Sequence, residues 1–375
     1  MEDIVMDYIN LLSESSYVET TWYKRIISGI RNELNPRRDV IRNLSQDDIG
    51  RLQADSVLLI IGFSKKFLSE SIDLCTASRI KPLIIGSSIN GSTGQQISCV
   101  TTERDRAMYE NVCSLFNSGC RHIAMIGVNP SVSTDLSHKA GYCQAVSEHG
   151  FSDFDQDIFY NSLGLGKAID AFLRVRHVYD AVVCTNDYVA VVLLSHLRKL
   201  GVKVPEEISV TGAGNTDSCR WTEPTLTSID IPLESAGKNA VILYRILAAN
   251  PGLNSLNSTF GYNIVYRDST KVTEQDRVIN RSGHEAYAPL LSSDYENAMR
   301  PIWNLTNTYS MIDETDRRII GGILRNLSNS ELAEEVYISE STLRYRLSKL
   351  YEATGVSGKS ELKALLGKYF PNYRS

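Results

Sequence analysis

Long hydrophobic runs are missing from this sequence of 375 residues. The longest apolar stretches, such as Val57–Gly62 and Ala181–Cys184, fall far short of the roughly 20 residues that a membrane-spanning helix needs. The first residues, MEDIVMDYIN, are acidic and lack the basic segment and following apolar stretch of a secretory signal. We therefore expect a cytoplasmic protein without membrane contact.

The side-chain patterns that hold metals or disulfides are also missing. The seven cysteines are an odd number, and no two of them form a C-x-x-C pair. The six histidines show neither H-E-x-x-H nor H-x₃₋₅-H spacing. Scattered cysteines in a chain without an export signal are usually reduced core residues. We expect no metal site and no cofactor.

Enzyme signatures are missing as well. The sequence contains no G-x-S-x-G, no P-loop and no G-x-G-x-x-G that opens a helix. The stretch SLGLGKA (Ser162–Ala168) joins glycines to a lysine but lacks the G-K-[ST] ending of a phosphate-binding loop. We expect a protein that is not an enzyme.

An excess of positive charge is absent too. The net charge is −5, so the chain as a whole does not attract polyanions, and any contact with nucleic acid must come from a local patch. The length predicts two or three domains, because a single hydrophobic core rarely extends beyond about 250–300 residues.

Short apolar runs alternate with helix-period segments over about the first 270 residues. The runs that predict strands are Asp3–Ile9, Val57–Gly62, Lys81–Gly86, His122–Gly127, Asp180–Asp187 and Ile208–Gly214. The segments that predict helices are Thr21–Leu34, Lys66–Ser78, Ala107–Ser118 and Tyr188–Leu200. Continuous apolar strands joined by helices are typical of parallel sheets covered on both faces. We predict a doubly wound α/β fold in two lobes, with ligands at the carboxyl ends of the strands.

The alternating pattern weakens after about residue 250. The composition of NPGLNSLNSTFGYN (Asn250–Asn263) is typical of a loop. In this region only YNIVYRDST (Tyr262–Thr270) has a composition typical of a strand. Beyond Thr270 we predict helices alone. The expected organisation is a core at 1–270, a linker and connecting helix at 271–305, and an all-α domain of four helices at 306–375.

The last segment carries helix-capping signals at regular intervals. Asp313 and Thr315 offer capping side chains for a first helix. Ser328 or Asn329 can cap a second one, and Glu331 lies three residues after Ser328, at the spacing of a capping box. Ser339 precedes a third helix, and Lys359–Tyr369 forms the fourth. Two short helices joined by the tight turn YISE predict a helix-turn-helix.

The third of these helices has two different faces. Leu343, Leu347 and Leu350 form its apolar stripe. The candidate DNA-binding residues on and beside the outer face are Ser341, Thr342, Arg344, Tyr345, Arg346 and Lys349. Arginine offers two parallel donors to guanine, lysine offers a charge to phosphate, and hydroxyls bond to either. From spacing alone, a solvated amphipathic helix explains this pattern equally well.

The segment LSNSELAEEVYISESTLRYRLSKLYEATGVSGKSEL (Leu327–Leu362) resembles the helix-turn-helix of LuxR-type response regulators. That family has L-S-N-x-E-I-A, then I-S-x-x-T-V, and ends on G-V-x-x-R-x-E-A. This chain departs from the pattern at Tyr345-Arg346, where a small polar residue and histidine are usual, and at Lys359, where arginine is usual. The resemblance implies DNA binding, with a sequence preference of its own.

Most of Met1–Thr270 resembles the effector-binding core of LacI/GalR repressors, which share their fold with periplasmic sugar-binding proteins. The matching stretches are DAVVCTND (Asp180–Asp187), LGVKVPEEISVTG (Leu200–Gly212), PTLTSI (Pro224–Ile229), LFNSGCRHIAMIG (Leu115–Gly127) and IVYRDST (Ile264–Thr270). These repressors carry DNA-binding helices before the core. Here the core's first strand begins near residue 3, so we expect that headpiece to be missing and the LuxR-type domain to replace it.

The resemblance also implies a set of effector-binding residues: His138, Asn186, Asp187, Asn215 and Trp221. The family's ligand-binding arginine is His138 here, and its acidic pair in G-x-D-D is Gly214 and Asn215. Losing such groups favours an effector other than an ordinary sugar, and a histidine suits an anion. His138 as a partly exposed loop residue, and Trp221 as a structural hinge residue, are alternatives of equal weight.

We therefore expect a sequence-specific DNA-binding transcription regulator. A sugar-like or anionic small-molecule effector in the cleft would modulate it, and a homodimer would bind double-stranded DNA at a palindromic operator. The alternative is a ligand-binding or dimerisation scaffold whose C-terminal helices contact protein.

Overall fold

The computed structural model describes residues 7–86, 97–152, 155–271, 304 and 312–369. Its strands are β1 (Asp7–Ser13), β2 (Asp39–Leu44), β3 (Val57–Ile61), β4 (Lys81–Ile85), β5 (Ser98–Thr102), β6 (Ile123–Val128), β7 (Ile158–Tyr160), β8 (Ala181–Cys184), β9 (Ser209–Ala213), β10 (Thr227–Asp230), β11 (Asn257–Phe260) and β12 (Asn263–Val265). Its helices are α1 (Thr21–Glu33), α2 (Lys65–Ala77), α3 (Arg104–Asn117), α4 (Ser133–Glu148), α5 (Leu165–Val175), α6 (Asp187–Lys199), α7 (Leu233–Ala249), α8 (Glu314–Leu324), α9 (Asn329–Glu335), α10 (Glu340–Thr354) and α11 (Lys359–Tyr369).

The strands form two six-stranded sheets, one in each lobe. The N-lobe sheet has the order β11-β5-β4-β3-β1-β2, and the C-lobe sheet has the order β12-β10-β9-β8-β6-β7. Neighbouring strands run parallel in both sheets, except that β10 and β12 are antiparallel. The predicted two-lobed α/β architecture is confirmed.

The chain crosses between the lobes after β5, after β10 and after β11. Because three segments connect the lobes, any change in the angle between them has to bend all three together. The carboxyl ends of the parallel strands face the cleft that these crossings border, which is where such folds bind ligands.

The strands with continuous apolar sequence are the ones that the sequence predicts well. Every residue of β3, β6 and β8 is buried, because helices cover both faces of each sheet. The prediction of a loop over Asn250–Asn263 is wrong, since β11 lies within it and pairs with β5 at the edge of the N-lobe sheet. An edge strand is half exposed, so its polar side chains do not produce an apolar run. The predicted linker at 271–305 lies almost entirely outside the described residues.

The C-terminal domain is helical throughout residues 312–369. Ser328 Oγ accepts from the Glu331 amide at 3.2 Å, and the Glu331 carboxylate accepts from the Ser328 amide at 2.6 Å, which confirms the predicted capping box. The predicted cap of α10 by Ser339 and the bounds of α11 are confirmed as well.

Helices α1 and α7 pack backbone to backbone in the N-lobe. A Cβ atom on Gly237 would overlap the carbonyl oxygen of Ile26, and one on Gly29 would overlap that of Glu234. Only glycine permits this approach, because every other residue carries a Cβ there.

Replacing Gly237 with alanine should therefore force α1 and α7 apart. We expect Gly237→Ala to lower the free energy of unfolding by about 1–3 kcal/mol, as overpacking does in a dense core. Denaturant unfolding of the full chain measures this effect. The control is Gly166→Ala in α5, where an added Cβ meets nothing within 4 Å; it should leave stability unchanged or raise it by about 0.5–1 kcal/mol. Equal effects of both substitutions would contradict the close packing.

Candidate nucleic-acid interface and interlobe cleft

Helix α10 begins in a cluster of hydroxyl groups. The Ser339 side chain caps the helix by accepting from the Thr342 amide at 3.2 Å. Ser341 Oγ and Thr342 Oγ1 lie 2.8 and 2.9 Å from Ser339 Oγ. These three exposed hydroxyls lie at a helix N-terminus, where backbone N–H groups favour an anion such as phosphate.

The outward side of α10 is exposed along its length, while Leu343, Leu347 and Leu350 are buried on the opposite side. We call five of these exposed residues the recognition face: Ser341, Thr342, Arg344, Tyr345 and Lys349. Glu340, Ser348, Glu352 and Ala353 of α10 are exposed as well. Lys349 Nζ lies 6.0 Å from the centre of the Tyr345 ring. Helix α10 thus has a packed apolar side and an exposed polar side that carries two cations, the pattern that a recognition helix needs.

Among the described residues, Arg344 pairs only within its own helix. Its Nη2 donates to Glu340 at 3.1 Å, and both side chains are largely exposed. An exposed pair of this kind contributes little to stability because water and salt screen it. Arg344 can therefore exchange Glu340 for a base or phosphate at small cost.

Arg346 differs from the recognition face, because its guanidinium connects α10 to α8. Its Nη1 donates to Asp316 at 2.8 Å and to the two oxygens of Asp313 at 3.0 and 2.9 Å. The Asp316 amide, and then the Arg346 guanidinium, lower the pKa of Asp313. The hydrogen bonds that Arg346 donates to Asp316 and Asp313 raise the pKa of its guanidinium. The structure thus gives Arg346 a role within the domain, and its predicted contact with DNA stays a prediction.

Tyr337, in the turn before α10, is a candidate that the sequence prediction missed. It has a φ of 56°, in the left-handed region that a bulky residue rarely adopts. Its side chain is 88% exposed. A strained residue with an exposed aromatic ring beside the recognition face is a candidate contact. The signal in the sequence was the tyrosine itself, at a turn position where glycine or asparagine is usual.

In the cleft, Asn186 and Asp187 hold the N-terminus of α6. Asn186 Oδ1 accepts from the Val189 amide at 3.0 Å and caps the helix. Asp187 Oδ1 accepts from Ser228 Oγ at 2.5 Å, and Oδ2 accepts from the Thr216 amide at 2.6 Å. Asp187 is fully buried, and burial raises the pKa of its carboxyl group.

Asn215 is joined to the same group of residues. Its amide donates to Ser228 Oγ at 2.8 Å, and its side-chain oxygen accepts from Arg267. Its φ of 47° is left-handed, which asparagine tolerates better than most residues. Arg267, the arginine of the IVYRDST motif, received no role from the sequence prediction. Trp221 is buried near this group and is 8% exposed.

His138 is buried within α4, so the alternative of a partly exposed loop residue is wrong. The ring contacts the Thr185 backbone, and neither ring nitrogen has a further hydrogen-bond partner within the described residues. Burial, and then the positive charge of Arg104, lower the pKa of His138 to about 3. The imidazole is therefore neutral at physiological pH. Arg104, the first residue of α3, is itself buried and is a second cleft residue that the sequence prediction missed.

The two lobes are in contact across the cleft. Ser64 and Val132 form an isolated antiparallel bridge, and the Lys65 amide donates to the Ser131 carbonyl at 3.3 Å. On the N-lobe side, the ring of Trp22 lies 4.0 Å from that of Phe63, centre to centre, and both are buried. The Phe63 carbonyl also accepts from Ser133 Oγ of the C-lobe at 3.3 Å, so the cleft is closed beside these buried rings.

Open space lies to one side of the closed cleft, in a groove of about 920 Å³ between α2, β5 and α4. It adjoins a small cavity of about 10 Å³, with which it shares Thr101, Thr102, Arg104, Ser133 and Ser137. None of the five predicted effector-binding residues lines this groove. Their role in effector binding stays a prediction.

Comparison with known families gives two matches within the chain. Residues 112–270 match a periplasmic-binding-protein-like domain, and residues 312–353 match a winged helix-turn-helix DNA-binding domain. The chain thus joins a periplasmic-binding-protein-like domain to a helix-turn-helix. Within the described residues, no helix combines the length and apolar character needed to cross a bilayer.

Individual relatives are similar mainly to the core. The chain is 26% identical over 178 residues to the NTD biosynthesis operon regulator NtdR of Bacillus subtilis, a match that spans 46% of this chain and 54%, about half, of that protein. It is 23% identical over 272 residues to catabolite control protein A of Staphylococcus aureus, across 72% of this chain and 79% of that protein. The solved transcription regulator CcpA of Lactococcus lactis matches with a TM-score of 0.59 at 20% identity, over 70% of this chain and 100% of that one.

The depressed pKa of His138 predicts a loss of stability in acid. The unfolded chain binds a proton at this residue below about pH 6.5, whereas the folded chain does so only near pH 3. Stability is therefore lost as the pH falls through 6.5. Relative to His138→Gln, we expect the wild type to lose about 2 kcal/mol of unfolding free energy between pH 7.5 and pH 5. Denaturant unfolding at both pH values tests this, and parallel losses in the two proteins would contradict it.

Proposed function

We propose that this chain is a sequence-specific DNA-binding transcription regulator whose activity a small molecule between the lobes modulates. The observation that carries the proposal is the recognition face of α10. It is exposed, polar and cationic, follows a helix-turn-helix turn, and is supported by a buried leucine stripe. The similarity to NtdR, which is named as an operon regulator, and to catabolite control protein A supports the proposal.

We assign the DNA-binding domain to the LuxR type. Residues 312–369 form four helices and contain no strand, whereas a winged domain adds a β-hairpin to its helices. The I-S-x-x-T segment at Ile338–Thr342 lies at the start of α10, where the LuxR pattern requires it. The proposed boundaries are 1–270 for the core, 271–305 for the linker and connecting helix, and 306–375 for this domain.

Within that domain, Arg344 and Lys349 are the proposed main contacts. Arg344 lies closer to the helix N-terminus, where recognition helices approach base edges. Its guanidinium can donate two parallel hydrogen bonds to O6 and N7 of guanine. Lys349 lies farther along the face, where a point charge suits phosphate. Ser341, Thr342 and Tyr345 complete the face, and Tyr337 adds an aromatic ring beside it.

A homodimer on a palindromic operator is the proposed assembly, and the cytoplasm is the proposed location. A single recognition helix reads only a few base pairs, so specificity requires two half-sites related by the two-fold axis of a dimer.

For the effector, we propose an anionic small molecule bound on the Arg104 side of the cleft. The groove places Arg104 beside the hydroxyl groups of Thr102, Ser133 and Ser137. A guanidinium with neighbouring hydroxyls suits a phosphate or carboxylate. Neutral His138 next to Arg104 adds no charge.

The alternative is a core that serves only as a dimerisation scaffold. The observation in its favour is the contact between the lobes at Ser64 and Val132, which closes the cleft. Such a core would bind no small molecule, and its C-terminal helices would contact protein.

DNA binding is tested by selecting duplexes from a random pool with the full chain and measuring gel retardation across salt concentrations. We expect Arg344→Ala to weaken binding by about 1–3 kcal/mol and to relax the preference at one base position. Lys349→Ala should weaken binding to all sequences and reduce the salt slope by about one. The control is Lys167→Ala, an exposed cation on α5 in the core, which should bind as the wild type does. Unchanged binding by both α10 variants would refute the assignment.

The effector proposal is tested by thermal unfolding with phosphorylated and carboxylated sugars and with their neutral counterparts. A ligand at about 100 times its Kd stabilises the folded state by about 2.7 kcal/mol, which raises Tm measurably. We expect shifts with anions that Arg104→Gln abolishes, while Arg104→Lys retains part of them. Shifts with neutral sugars alone would contradict the anionic assignment, and no shift with any compound would favour the scaffold.

A further inference from the structure

The C-terminal end of α6 contacts the DNA-binding domain. Arg198, in the last turn of α6, donates through Nη2 to the Lys368 carbonyl at 2.6 Å and to the Gly367 carbonyl at 3.3 Å. Both carbonyls belong to the last turn of α11, where helix carbonyls lack partners within their own helix. A helix C-terminus also carries partial negative charge, so a guanidinium is a favourable neighbour.

The other end of α6 lies in the interlobe cleft. Asn186 caps this end of the helix. Asp187 joins it to Thr216, just after β9, and to Ser228, which lies in β10. Ten of its thirteen residues are buried in the C-lobe. A helix of this length spans about 20 Å, and a buried helix moves as a unit rather than bending. One rigid element therefore extends from the cleft to the DNA-binding domain.

We propose that the C-terminal end of α6 is the docking surface for the DNA-binding domain, and that Arg198 positions the recognition face relative to the cleft. A shift of α6 that follows a change in the cleft then changes the orientation of α10. This inference rests on the proposed function for its regulatory meaning, but the docking contact itself does not depend on DNA or effector.

Two features suit this contact to a reversible role. Arg198 is exposed, so its hydrogen bonds compete with water and are individually weak. The contact also lies on α11, whereas the recognition face lies on α10 and stays exposed when the two domains touch. Docking therefore orients the DNA-binding surface without covering it.

Hydrogen exchange of the full chain, without DNA or added ligand, tests the docking contact. We expect Arg198→Ala to speed exchange of the α11 amides by at least about threefold, since roughly 1 kcal/mol of protection corresponds to about fivefold. Arg198→Lys should restore part of the protection. The matched control is Lys199→Ala, the neighbouring exposed cation, which should exchange as the wild type does. Unchanged exchange in Arg198→Ala would overturn the docking surface.

The role of α6 in coupling is tested at its other end. Asn186→Ala removes the cap, whereas Asn186→Ser keeps a capping oxygen. We expect faster exchange in α11 for the alanine variant alone, with exchange in α2 unchanged as a sign that the fold persists. Acceleration confined to the first turn of α6, or general acceleration that includes α2, would overturn the coupling.

Positioning has a readout on DNA that a purely structural role would not affect. On operators selected with the wild type, we expect Arg198→Ala to tolerate half-site spacings that the wild type rejects, while its affinity for the preferred spacing falls less than tenfold. An unchanged spacing preference would overturn positioning. If the wild type binds no duplex at all, the proposed function fails, whereas the exchange experiments still decide whether the domain docks on α6.

Discussion

The buried carboxyl group of Asp187 is the interaction on which the C-lobe side of the cleft depends. A charged group without partners in a protein interior is costly, so its hydrogen bonds from Ser228 and Thr216 fix where α6 begins. Gly212 lies so close that a Cβ there would approach Asp187 Oδ1 to 2.5 Å. The same carboxylate thus sets the spacing of β9, β10 and α6, and with it the shape of the C-lobe side of the cleft.

Within the C-terminal domain, the three cationic side chains of α10 lie in two different environments. Arg344 and Lys349 are exposed, and the only described ion pair of Arg344 is with Glu340 one helical turn away. Arg346 forms ion pairs with Asp316 of α8 and with Asp313, the residue that caps α8. Because Asp313 also caps α8, the ion pairs of Arg346 stabilise the start of α8 and connect that helix to α10. Adjacent positions on a helix lie about 100° apart, so residues next to each other in sequence face different environments.

The sequence predicts those elements whose surroundings are uniform. Strands buried on both faces, such as β3 and β8, produce apolar runs, and capped helices such as α9 and α10 carry explicit local signals. Edge strands were missed because β2 and β11 are partly exposed and polar. The recognition face follows from helical periodicity, but the ion pairs of Arg346 do not, since Asp313 is 33 residues away. The position of Arg104 likewise depends on how the lobes meet, since residues of both lobes surround it, and that of Arg267 depends on its contacts with Asn215 and Leu226, which are distant in sequence.

The contact between the lobes beside Trp22 and Phe63 has a kinetic consequence. Trp22 and Phe63 are buried while the lobes touch through Ser64 and Val132, so these rings are out of reach from solvent. A molecule that contacts them has to wait until the lobes separate, and separation bends three connecting segments at once. Its association rate then stops rising with concentration and levels off at the rate of opening. The closed form, and not the ligand, sets how fast such a protein responds.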